Sequence, residues 1–196
     1  MKGIILTNPK KVCIPLPEWL QINQVDLAFS PGDMEDAMRL AITLSRHNVD
    51  HETGGPFAAL VVNLSKGIVI SAGVNCVEAQ SCSSAHAEIM ALSLAQQALG
   101  TWNLRVTPHA PLTLISSCEP CAMCLGAIPW AGVSQVICGA TKNDAEAAGF
   151  DEGERPSSWE HGLKERGIEL VTGILRAEAS AVLVDYAKAG QTIYNP

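Results

Sequence analysis

Two short runs of the chain combine residue types that do chemistry together: His86-Ala87-Glu88 and Pro120-Cys121-Ala122-Met123-Cys124. Cys121 and Cys124 stand three apart, so on a helix they share one side of a turn. Two thiolates there, with one imidazole from a neighbouring helix, make three zinc ligands, and a catalytic zinc keeps its fourth position for water. A helix N-terminus favours thiolates through its dipole and its free N–H groups. Glu88 lies two residues past His86 and need not touch the metal. A carboxylate in that place can take a proton from zinc-bound water, whose pKa falls to about 7, and pass it on.

Other readings of the cysteines are weaker. A thioredoxin-like redox pair would leave His86 and Glu88 without a task. Cys118, Cys121 and Cys124 form a CxxCxxC run, but the bacterial iron–sulfur pattern needs a fourth cysteine where Ile128 stands. A structural zinc needs a fourth protein ligand. Cys118 is the candidate, but three residues before Cys121 it belongs at the end of a strand and is expected to be an ordinary buried thiol. H-x-E followed by P-C-x-x-C, each opening a predicted helix, is the zinc deaminase signature.

The elements that must hold these groups follow from periodicity. Asp33 precedes a helical face of Met34, Ala37, Met38, Ala41 and Leu44, and Gly54-Gly55-Pro56 ends that unit. Strands are expected over 57–63 and 67–72, joined at Ser65-Lys66-Gly67, then a helix over 85–99 closed by Gly100. A strand over 112–115, a helix from Pro120 to about 128 and a strand over 133–139 come next. Ser157-Ser158 are placed to cap a helix that ends before Gly167, followed by a strand over 168–172 and a helix over 175–189. Strands alternating with helices imply a layered α/β domain with parallel pairing wherever a helix makes the crossover.

The chain has 196 residues, 47% hydrophobic and 17% charged, which suits one globular domain over 31–196. Residues 1–30 read as an irregular extension, interrupted by Pro9, Pro15 and Pro17. No stretch is long and apolar enough for a membrane span, and Gly3-Ile4-Ile5-Leu6 is too short for an export signal. Thirteen Lys and Arg against 20 Asp and Glu leave −7, a poor match for a nucleic-acid backbone and a better one for a neutral small substrate. Seven cysteines, an odd number with three crowded together, point to a reducing compartment, hence the cytoplasm, and to metal or redox use rather than disulfides.

Four stretches carry a family resemblance: Gly54-Gly55-Pro56-Phe57-Ala58-Ala59, Gly73-Val74-Asn75, Ala85-His86-Ala87-Glu88, and 117–128 from Ser117-Cys118-Glu119-Pro120 onward. Over about 37–152 the chain resembles the cytidine deaminase superfamily, and within it the bacterial guanine deaminases. The resemblance implies a three-layer α-β-α sandwich around a five-stranded mixed sheet, one Zn2+ per chain on His86, Cys121 and Cys124, and Glu88 as proton shuttle. The segment from Glu146 to Glu152 resembles the guanine deaminase stretch that brings an extra acid into the pocket. That stretch usually ends in two aspartates, and here Glu152 is one methylene longer. A solvated acidic loop of Asp151, Glu152 and Glu154 is the alternative.

The implied activity is hydrolysis of guanine to xanthine and ammonia, with Glu152 attending the departing amine and a nucleobase as the partner. Asn75 would bind the base edge, Ala87 would line the base site, and Phe57 would stack on the base or pack in the core. Trp130 would wall the pocket or, as favoured, pack in the core. The family also implies a homodimer with exchanged C-terminal segments, in which Tyr194 serves as lid or belongs to a frayed tail. Rival substrates are cytosine, an amino-triazine such as ammeline, or a tRNA adenosine, and the rival outside enzymes is a zinc-site binding protein. The charge disfavours tRNA, the acidic segment disfavours cytosine, and the intact Glu88 disfavours a mere binder.

Overall fold

The computed structural model describes residues 12–20 and 27–194. Helix α1 (Met34–Asp50) begins where Asp33 accepts a hydrogen bond from the Asp36 backbone N–H at 3.0 Å. Its buried face holds Ala37, Met38, Ala41 and Leu44 as the periodicity demands, with Asn48 added at its C-terminal end; Met34 stays 36% exposed, one turn short of the sheet. Strands β1 (Ala58–Asn63) and β2 (Ile68–Val74) pair antiparallel. Between them Asn63 caps a 3-10 turn by accepting from Lys66 N, and Gly67 takes φ 64° to reverse the chain.

The order continues with α2 (Ala87–Ala98), β3 (Thr113–Cys118), α3 (Ala122–Ala131), β4 (Gln135–Ala140), α4 (Lys142–Ala147), α5 (Trp159–Glu165), β5 (Glu169–Val171) and α6 (Arg176–Lys188). The sheet runs β2-β1-β3-β4-β5. β3 pairs antiparallel with β1, and parallel pairing joins β3 to β4 and β4 to β5. The five-stranded mixed sheet expected from the sequence is therefore present.

Every side chain of β1 is buried, and alternation sends them to opposite cores. Ala58, Leu60 and Val62 pack with α1 and α6, whereas Ala59 and Val61 pack with α2, α3 and α5. Each fully buried Leu or Ile contributes about 1.5–3 kcal/mol, which makes this strand the spine of the three layers. A close approach fixes β2 against α2: a Cβ on Gly73 would sit 2.4 Å from Ala87 O and Ala91 N.

Two features depart from expectation. Helix α4 was not anticipated, because six residues carry too little periodicity to register. A capping box between Thr141 and Asp144 starts it, and Arg176 holds the Asp144 carboxylate with two bonds of 2.8 and 2.9 Å. Gly149 at φ 102° then turns the chain into the loop that carries Glu152. The segment read as an extension is partly structured into the domain: Trp19 and Leu20 are buried, and the Trp19 indole donates to Thr53 Oγ1 at 2.9 Å. Residues 1–11 and 21–26 of that segment lie outside the described residues. Among the described residues no helix is long and apolar enough to cross a membrane.

Candidate active site and metal centre

The site lies where α2 and α3 begin. His86 and Cys121 are the N-cap residues of these helices, with extended backbones and no side-chain cap bond, so both side chains remain free for other work. The sequence reading places both inside the first turns, with helices from 85 and 120; the observed helices start two residues later, so the imidazole and the thiol sit at the helix ends. The β3–β4 pairing continues past the strand through Glu119 N to Ala140 O at 2.8 Å, and this delivers Pro120 and Cys121 to the helix start. Cys124 is one turn further on and fully buried.

The ligand atoms of His86, Cys121 and Cys124 all lie within 4.8 Å of one another. Cys121 Sγ is 3.5 Å from His86 Nδ1. The Cys124 thiol beside Cys121 pulls the Cys121 pKa down to about 4 against the cost of burial, and His86 assists. Cys124 is pushed the other way by Cys121 and by burial. Burial works against charge on His86, but the Cys121 sulfur and the nearby carboxylates more than offset it and raise its pKa. Two sulfurs and one imidazole nitrogen, one sulfur already anionic, form a donor set that suits zinc. Cys118 is not of this group: its buried thiol packs in the α1/α6 core, with Sγ 3.7 Å from Thr141 O.

Phe57, Asn75, His86, Ala87, Glu88, Glu119, Cys121 and Glu152 are among the residues that line one cavity. Glu88 is 6% exposed, and Ser116 Oγ donates to its Oε1 at 3.3 Å. Burial first, and then the Cys121 charge, raise the Glu88 pKa. Glu152 is also 6% exposed, so it is a pocket residue and not part of a solvated acidic loop, whereas Asp151 and Glu154 are exposed. Burial, followed by the charges of Cys121 and Glu88, pushes the Glu152 pKa up to about 8. Phe57 meets Phe150 edge-on at 4.8 Å and packs against both cores while also lining the cavity.

A family model for the zinc-binding region of cytidine and deoxycytidylate deaminases matches residues 31–140. The chain belongs to this deaminase family. It is 40% identical over 118 residues to a guanine deaminase of Bacillus subtilis, covering 60% of this chain and 71% of the relative. A tRNA-specific adenosine deaminase of the same organism is 32% identical over 126 residues, covering 64% and 71%. Among solved structures, a guanine deaminase from Nitrosomonas europaea superposes with TM-score 0.85 at 42% identity, over 93% of this chain and 99% of that one. The protein NE0047 in complex with 2,6-diaminopurine gives 0.85 at 44% identity, over 93% and 96%.

In this deaminase-family chain Asn48 escaped the sequence reading, and Tyr194, named there as lid or frayed tail, stands at the cavity. Asn48, fully buried near the end of α1, donates through Nδ2 to Gly55 O at 2.8 Å and to Asn75 O at 2.9 Å. It ties the Gly54-Gly55 turn to Asn75. A Cβ on Gly54 would fall 1.9 Å from Asn75 O, so only glycine fits. The signal was an amide at the end of an otherwise apolar helical face. Tyr194 is neither frayed nor outside the pocket: Asn75 Nδ2 donates to its hydroxyl, and its ring lies 6.1 Å from that of His86. The tail is anchored by Tyr186, whose hydroxyl donates to Thr192 O at 2.6 Å.

Trp130 corrects an expectation. It is 81% exposed and neither walls the cavity nor packs in the core. Helix α3 turns Cys124, Ile128 and Ala131 inward, and Trp130, two residues past Ile128, is rotated by roughly 200° from that face.

Proposed function

We propose that this protein deaminates guanine to xanthine and ammonia, with His86, Cys121 and Cys124 holding one zinc ion. The observation that carries the reading is the buried Glu152 carboxylate, in one cavity with Glu88 and the metal-ligand set. The guanine deaminases among its relatives support it, as does the diaminopurine complex of NE0047.

When bound, zinc supplies an activated water at neutral pH. The remaining work falls to side chains. Water adds to C2 of the base, the new C–O bond making that carbon tetrahedral, and the C–N bond to the 2-amino group then breaks. Glu88 takes up the proton released from that water and delivers it to the ring nitrogen; its burial raises its pKa and so favours the proton-carrying form it must adopt. The second proton of that water passes to the exocyclic amine as the new C–OH becomes a carbonyl, and Glu152, facing the amine, holds it as it leaves as ammonia. Two carboxylates in different surroundings thereby divide the acid and base roles. Asn75 presents an amide to the purine edge, Ala87 lines the base site, and Phe57 with Phe150 walls the ring face.

The finer assignments are part of the same reading. Residues 31–196 act as the deaminase domain and 1–30 as its extension. All seven cysteines are free thiols, which supports a cytoplasmic setting and a place in purine breakdown. A homodimer is proposed because α3 has no polar side chain yet leaves Met123 40% and Trp130 81% exposed, and a helix apolar on all sides needs cover. Exchange of C-terminal segments would then seat a partner's tail where Tyr194 sits.

A screen of zinc-loaded protein for ammonia release tests the function. Guanine is expected to outrun cytosine, adenine and small amino-triazines by at least about tenfold, a margin set by a pocket built to hydrogen-bond one base edge. Faster turnover of cytosine, or of an adenosine in tRNA, would overturn it.

A further inference from the structure

Glu152 sits on a stretch without regular structure, between the end of α4 and the start of α5, so something else must hold its carboxylate in the cavity. Ala122 N donates to Glu152 O at 3.0 Å, and Lys142 Nζ donates to Gly153 O at 2.7 Å. The strongest tie comes three residues on. Arg155 Nη2 meets Glu119 Oε2 at 2.8 Å and Nη1 donates to Pro120 O at 3.1 Å, while the guanidinium lies 4.5 Å over the Trp159 ring. The side chains of this ion pair are only 8% and 11% exposed. Glu119 is itself fixed, since its carboxylate also accepts from Lys142 N at 3.1 Å and its backbone extends the sheet.

One guanidinium therefore joins the residue just before Cys121 to the residue three after Glu152. We propose that Arg155 is a positioning residue: by clamping its loop to Glu119 and Pro120 and stacking on Trp159, it sets where the Glu152 carboxylate stands relative to the metal-ligand segment. Arg155 does not line the cavity, whereas Glu119 and Glu152 do, so it acts on the base only through residues it positions, and a double-mutant cycle tests Glu152 as that residue. The planar fork matters, because a lysine ammonium cannot bond two acceptors in that geometry and stack as well. Losing the arginine also leaves the nearly buried Glu119 without its counter-charge.

This inference rests on the proposed role of Glu152, and a double-mutant cycle separates the two. Arg155→Met is expected to lower kcat for guanine about 10- to 100-fold, with KM changed less than about threefold and zinc content unchanged. In a Glu152→Gln background the same substitution should cost less than about twofold, because the group it positions is already gone. Arg155→Lys should fall between wild type and Arg155→Met. A merely structural role predicts equal losses in both backgrounds, and that result, or an Arg155→Met enzyme within about twofold of wild type, overturns the clamp. Full activity in Glu152→Gln alone overturns the reading of Glu152 and the clamp with it. Where Arg155→Met does not fold, the Arg155→Lys cycle decides by the same criterion.

Discussion

The side-chain amide of Asn75 donates to the hydroxyl of Tyr194, 119 residues further along the chain. The group assigned to the base edge is thus already engaged by the chain's own tail. On the proposed binding of the base edge by Asn75, substrate competes with that hydroxyl, and a net hydrogen bond contributes about 0.5–1.5 kcal/mol. Tyr194→Phe removes the competitor and keeps the ring. Steady-state kinetics should show KM for guanine lower by about two- to tenfold with kcat little changed. A higher KM would mean that the hydroxyl helps to hold the base.

Glu88 is buried, accepts from Ser116 and lines the cavity together with His86 and Cys121. Glu88→Gln keeps size and the Ser116 contact but removes the proton carrier. Ammonia release should fall about 10²- to 10⁴-fold, while elemental analysis still finds one zinc per chain. Near-normal turnover would take Glu88 out of the mechanism.

Glu152 makes a pH prediction for the metal-free protein. Its pKa is raised from the usual 4.5 to about 8, chiefly by burial. The folded state then binds more protons than the unfolded state between these values, so this group's contribution to stability falls as pH rises from about 4.5 to about 8. Thermal melts of zinc-free protein should show Tm declining across that window, with a smaller decline in Glu152→Gln. Parallel profiles for the two proteins would place the carboxyl in water.

The two buried cysteines of residues 118–124 differ in place: Cys124 stands with the metal-ligand group and Cys118 packs in the α1/α6 cluster. Cys124→Ser should lose zinc, and chelation of the wild type should abolish activity and lower Tm, because metal binding adds to folding stability. Cys118→Ala should keep one zinc per chain and cost only about 1 kcal/mol, typical of a small buried truncation. Cobalt substitution provides the check: sulfur-to-cobalt charge-transfer bands should persist in Cys118→Ala and weaken in Cys124→Ser.

Sequence spacing alone determined the ligand triad, Glu88 and the alternation of strands and helices. Those features are local: a turn of helix brings Cys121 and Cys124 together, β1 announces itself as a short unbroken apolar run, and α1 by a period of 3.6. Tertiary structure decided the rest. Whether Glu152 was solvated or in the pocket depended on contacts from Ala122, Lys142 and Arg155, none of which a charge pattern reveals. Asn48 bridging Gly55 and Asn75, Tyr194 reaching Asn75, and Trp130 facing water were likewise set by how distant elements pack. Periodicity reports the face a residue shares with its near neighbours, and it carries no record of which remote backbone will arrive against that face.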